Sequence, residues 1–142
     1  MADNVETVRR LEDGWASGDY DAVRGILHPD FHPKGNHGPG AEMMPPGIDG
    51  LIEGHKMSLG AFPDRKQETL DCFGEGDRVM IRSRMTGTNK GGLPWFGIEA
   101  NDRLVDVEYI TIYRLEDDKV VESWAQMDIA LMMQQLGAGG GD

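Results

Sequence analysis

Four runs of alternating residues fill the second half of the chain and limit what it can fold into. After Pro63-Asp64, apolar and polar residues alternate through Arg65 to Phe73, Asp77 to Lys90, Arg103 to Leu115 and Lys119 to Met127. Period two sends successive side chains to opposite faces of a strand, so each run has one face for a core and one for solvent. Gly74-Glu75-Gly76-Asp77 and Glu116-Asp117-Asp118 are short enough to close hairpins, which predicts a largely antiparallel sheet. Gly91-Gly92-Leu93-Pro94-Trp95-Phe96-Gly97 is a longer connection whose aromatic residues suit a loop folded over a pocket.

Helical spacing governs the first half. Val5, Val8, Leu11, Glu12 and Trp15 recur as one stripe between Asn4, read as the N-cap, and Gly18. Asp19 caps a second helix with Tyr20, Val23, Ile26 and Leu27 inward, ended by His28-Pro29 because the residue before proline leaves helical space. Asp30 to Gly50, rich in proline and glycine, reads as a long structured loop or lid. Ile48, Leu51, Ile52, His55, Leu59 and Phe62 then predict a third helix up to Pro63. Ile129 to Leu136 is either a short helix or another strand. Residues 1–137 make one domain, followed by a frayed glycine-rich tail over 138–142. Helices set to one side of a curved, mostly antiparallel sheet give an α+β domain with an apolar concavity, a setting for a small ligand.

Charge narrows the partners. Lys plus Arg number 14 against 25 Asp plus Glu, a formal charge of −11, which argues against nucleic acid and anionic membrane surfaces. Cys72 is the single cysteine, so no internal disulfide forms. With no basic-then-apolar leader and no apolar run of spanning length, the expectation is a soluble cytoplasmic protein.

Among candidate functional residues, Asp128 comes first. It shares a strand face with Glu122, Trp124 and Gln126, and an apolar wall beside a carboxylate lifts its pKa toward the range of a general acid/base. Its competing role is to N-cap the closing segment. His32 in the Pro/Gly loop and His55 on the apolar helical stripe are further candidates, each with an ordinary structural alternative. Trp15, His55, Trp95, Phe96, Tyr109 and Trp124 are expected to wall a substrate pocket. His28, His32, His37 and Glu42 match no compact zinc spacing, so no metal is expected.

Ala61-Phe62-Pro63-Asp64, the Gly97 loop leading to Tyr109-Ile110-Thr111-Ile112-Tyr113-Arg114, and Asp118 to Trp124 followed by Asp128 and Gln134-Gln135-Leu136-Gly137 together resemble SnoaL-like polyketide cyclases. The likeness covers most of the chain, and Trp-x-x-x-Asp with the Gln-Leu-Gly end is its most specific part. It implies the cone fold of nuclear-transport-factor type shared with ketosteroid isomerases and limonene epoxide hydrolases. It also implies Asp128 as acid/base of an intramolecular aldol condensation without cofactor, and His32 as the histidine that family members carry after the second helix. The substrate class so implied is a small apolar carbonyl compound, aromatic or polycyclic. Alternatives are isomerisation of an enolisable ketone, epoxide hydrolysis, and passive binding of a small hydrophobic ligand. Both faces of the strand around Val79 to Met85 are partly apolar, which fits a homodimer or higher homo-oligomer.

Overall fold

The computed structural model describes residues 3–35, 45 and 47–138. Its elements are α1 (Asn4–Ser17), α2 (Tyr20–Ile26), β1 (Leu27–Gly35), α3 (Gly47–Ala61), β2 (Lys66–Glu75), β3 (Arg78–Thr88), β4 (Leu104–Glu116), β5 (Lys119–Met127) and α4 (Ile129–Gln135). A 3-10 turn, Pro94–Phe96, lies between β3 and β4. The sheet runs β1-β5-β4-β3-β2, with β2 through β5 antiparallel and β1 parallel to β5. This is the expected α+β cone, and no helix among the described residues is long and apolar enough to cross a membrane.

Two helix starts follow from capping. Asp3, one residue before the expected Asn4, accepts from the Val5 N–H at 2.9 Å, and Asp19 accepts from the Ala22 N–H at 3.1 Å. Between α1 and α2 the chain turns at Gly18, whose φ of 74° is open to glycine at no steric cost.

The stretch expected to be loop from Asp30 begins as strand β1, so the sheet has five strands among the described residues rather than four. Pro29 and Pro33 hid it, since proline removes a ladder donor and argues against a strand. An edge strand tolerates that loss, and β1 is an edge strand with its register broken between Leu27 and His32. Residues 36–44 and 46 of the expected lid, His37 and Glu42 among them, lie outside the described residues, as does the tail beyond Ala138. The closing segment is the short helix α4.

Register along β3 and β4 separates two apolar clusters. Val8, Leu11, Val23, Phe31, Val79, Ile81 and Val120 pack under α1 and α2 at one end. Phe62, Met85, Leu93, Val105, Val107, Met132 and Leu136 pack under α4 and the Gly91–Gly97 connection at the other. Between them the inner face of the sheet carries Ser83, Tyr109 and Thr111.

The β4–β5 hairpin closes on Glu116 and Lys119 with Asp117 at φ 50° and Asp118 at φ 64°. Two left-handed residues in a two-residue loop match strand twist, but an L side chain there carries strain. Replacing Asp118 by glycine should raise unfolding stability by about 0.5–1 kcal/mol, read as a higher urea midpoint at unchanged slope.

Candidate active site

Helix α1 lays Glu12 between the two apolar clusters, and Glu12 is buried. Its Oε1 accepts from the Tyr113 hydroxyl of β4 at 2.8 Å, and its Oε2 accepts from the Gln67 amide of β2 at 2.6 Å. The Gln67 Oε1 in turn accepts from Arg65 Nη1 at 3.0 Å. Arg65 Nη1 lies 3.5 Å from His55 Nε2 of α3, whose Nδ1 is 2.7 Å from the Tyr20 hydroxyl of α2. One run of hydrogen bonds thus joins every helix but α4 to the sheet.

A guanidinium only donates, so Nε2 of His55 carries the lone pair, and Nδ1–H donates to Tyr20. Burial first, and the Arg65 charge second, push the His55 imidazole down to about 4, so it is neutral at physiological pH. Burial raises the Glu12 carboxyl even though Tyr113, Gln67 and Arg65 oppose the rise. Tyr109 is pushed up to about 12 by burial and then by Glu12, and Tyr113 goes well above its ordinary value for the same two reasons.

A groove of about 660 Å³ opens onto this run, lined by Trp15, His55, Leu59, Arg65 and Gln67 and bounded by Arg84 on the rim. The Trp15 and His55 rings are 5.1 Å apart between centroids, so the imidazole has an aromatic wall. Arg65 Nε and Trp95 Nε1 are buried with no hydrogen-bond partner among the described residues. No three His, Cys, Asp or Glu side chains among the described residues converge as metal ligands.

The expected surroundings of Asp128 are corrected. Its carboxylate is exposed and caps α4, accepting from the Leu131 N–H at 2.9 Å. Trp124 does share its parity, but that parity faces outward: the indole lies on the sheet face away from the helices, with Arg78 4.8 Å and Lys34 5.5 Å from its ring centroid. Small Ser123 and Ala125 take the buried face of β5 instead. His32 is exposed on β1 opposite Glu122, six positions and so about 20 Å along β5 from Asp128. Of the expected pocket residues, Trp15 and His55 line the groove, Tyr109 and Trp95 pack on the second apolar cluster, and Phe96 is exposed. Glu12, Arg65, Gln67 and Tyr113 were not singled out as functional. One signal was present: an acidic residue on the apolar stripe of Val8, Leu11 and Trp15 needs a buried partner.

Comparison with known proteins adds a family to this geometry. The family model for SnoaL-like polyketide cyclases matches residues 5–136. The crystal structure of a candidate SnoaL-like polyketide cyclase from Jannaschia sp. CCS1 is 28% identical, with a TM-score of 0.79 over 95% of this chain and 92% of that one. IdmH from Streptomyces antibioticus, named as a candidate polyketide cyclase, is 26% identical with a TM-score of 0.78 over 96% of this chain and 99% of its own. AclR from Streptomyces galilaeus, named as a candidate hydroxylase, is 22% identical with a TM-score of 0.78 over 95% and 85%, a likeness of fold alone. A search of curated protein sequences gave no significant match.

The His55 shift has a signed consequence for stability. The unfolded chain takes up this proton near 6.5 and the folded chain only near 4, so stability present above 6.5 is lost as pH falls toward 4. Glu12 is shifted the other way, so its own contribution grows as pH falls. Urea midpoints at pH 7 and pH 5 should therefore drop further in the wild type than in His55→Gln, which isolates the imidazole.

Proposed function

The chain belongs to the SnoaL-like polyketide cyclase family, and from that membership we propose that it closes a ring on a small carbonyl compound by acid and base chemistry alone. His55 acts as the base and Arg65 holds the oxygen that gains charge. The observation that carries this reading is a neutral imidazole lone pair 3.5 Å from a guanidinium in the groove that Trp15 walls.

The Nε2 of His55 takes a proton from carbon next to a ketone, and the C–H electron pair becomes an enolate whose oxygen Arg65 binds. The enolate carbon attacks a second carbonyl carbon of the same molecule. A C–C bond forms, the π pair moves to oxygen, and the protonated imidazole returns its proton to that alkoxide. Atoms and charge balance without a redox partner. A proton on His55 beside Arg65 is costly in the empty groove, and the enolate charge offsets that cost once substrate is bound. Glu12 stands behind Gln67 with both oxygens engaged, so it positions Gln67 and Arg65. The same proposal leaves Asp128 with its capping role.

Hydrogen exchange isolates the first step from the identity of the natural substrate. With 2-acetylnaphthalene in D2O, the wild type should exchange the methyl protons, and His55→Gln and Arg65→Met should slow that exchange by about 10²–10⁴-fold. Asp128→Asn should stay within about threefold of wild type, and the rate should fall only as pH approaches about 4, where His55 takes up a proton. Loss of exchange in Asp128→Asn with none in His55→Gln would return the base to Asp128. Binding without exchange would make the protein a carrier of hydrophobic ligands.

A second copy of the chain is proposed to cover the outer face of the sheet. Phe73, Met80, Ile112 and Trp124 are cross-strand neighbours in one row over four strands, and Phe73 is 58% exposed. Ion pairs of Arg82 with Asp71 and Glu108 flank one side and the Arg114–Glu122 pair flanks the other. Phe73→Glu should convert a sedimenting dimer to monomer, and a monomeric wild type at micromolar concentration would end this part of the proposal.

A further inference from the structure

Two contacts bear on the His55 ring, and they differ in strength. The Tyr20 hydroxyl meets Nδ1 at 2.7 Å, a short hydrogen bond, whereas Arg65 Nη1 meets Nε2 at 3.5 Å, the outer limit for one. A phenol can donate or accept, so distance alone leaves the direction of the Tyr20 bond open. Arg65 decides it. With the proton on Nε2, two N–H donors would face each other, so the proton sits on Nδ1 and the Tyr20 oxygen accepts it. An imidazole left to water prefers the opposite form, with its proton on Nε2 and no lone pair there. The 2.7 Å bond offsets that preference.

Tyr20 is itself held in place. It is the first residue of α2, set by the left-handed turn at Gly18 (φ 74°) and the Asp19 cap. Its ring stands edge-on to Trp15, with centroids 6.2 Å apart, and edge-on to the imidazole at 5.6 Å. Lys56 Nζ lies 5.5 Å from the centroid of the same ring. Tyr20 stands behind the imidazole, whereas Trp15, His55, Arg65 and Gln67 line the groove. We propose that Tyr20 is the positioning residue of the base: its oxygen holds the proton on Nδ1 of His55 and so keeps the Nε2 lone pair available to the groove. A carboxylate in that place would draw a second proton onto the ring and fill Nε2. A neutral phenol fixes the tautomer without that charge, and burial raises the Tyr20 hydroxyl above its ordinary value, so it stays protonated at physiological pH. This inference rests on the proposed role of His55 and adds what makes that role possible.

Tyr20→Phe removes one oxygen and keeps the ring. In 15N-labelled protein at pH 7, imidazole nitrogen shifts tell an N–H from a lone pair, and His55→Gln identifies the His55 signals among the four histidines. The wild type should show the proton on Nδ1 and the lone pair on Nε2, and Tyr20→Phe should lose that form as the dominant one. With 2-acetylnaphthalene in D2O, kcat for methyl exchange should fall about 10–100-fold in Tyr20→Phe while KM changes by less than about twofold, since Tyr20 touches the ring and not the ligand. A dominant Nδ1–H form in Tyr20→Phe, or a dominant Nε2–H form in the wild type, overturns the assignment. Loss of the tautomer with unchanged exchange leaves Tyr20 in its positioning role on the ring and removes His55 as the base.

Discussion

The carboxyl of Glu12 is the contact on which the interior depends. A buried acid is tolerable only with its oxygens satisfied, and Tyr113 and Gln67 each satisfy one. Those two bonds tie α1 to β4 and β2, so the helix is held to the sheet at a fixed depth. Depriving a buried acceptor of its donor costs about 1–3 kcal/mol, so either bond matters to a domain of this size. Because Gln67 is oriented by Glu12, its carbonyl is the end offered to Arg65, and the guanidinium is aimed at His55. The position of the His55–Arg65 pair is set from the buried end.

The sheet divides its labour by face. Inward, β5 gives up volume, with Ser123 opposite the Tyr113 ring and Ala125 opposite Thr111 of β4. Outward, Trp124 lies between Arg78 and Lys34, and half-buried Arg82 and exposed Arg84 are paired with Asp71, Glu108 and Asp106. Exposed pairs contribute about 0–1 kcal/mol each, so they serve solubility and register more than stability. An indole under cations is stable at a surface, which is why an aromatic residue in a strand did not mark the interior.

Much of the architecture was legible because it is local. Four strands, three helices and two hairpins followed from periodicity and turn residues, and the likeness to a family of cone-fold cyclases came from short runs such as Tyr109 to Arg114. Strand β1 was not legible, since its prolines signal loop everywhere except at an edge, and edge position is a property of the assembled sheet. Trp15 and His55 lie on the apolar stripes of their helices, and both line the groove. Asp128 was misplaced for a different reason: parity groups Trp124 with Asp128 but carries no sign for inside or outside.

By itself the sequence determined which residues travel together on one face, where the chain turns, and that an acidic residue would sit in the apolar stripe of the first helix. Tertiary structure alone decided which face is buried, and that Glu12 meets Tyr113 across 101 residues of chain. It also decided that Arg65 and His55, from a strand approach and a helix, share one groove. Periodicity is a property of neighbouring residues, whereas burial and proton affinity depend on everything packed against a group.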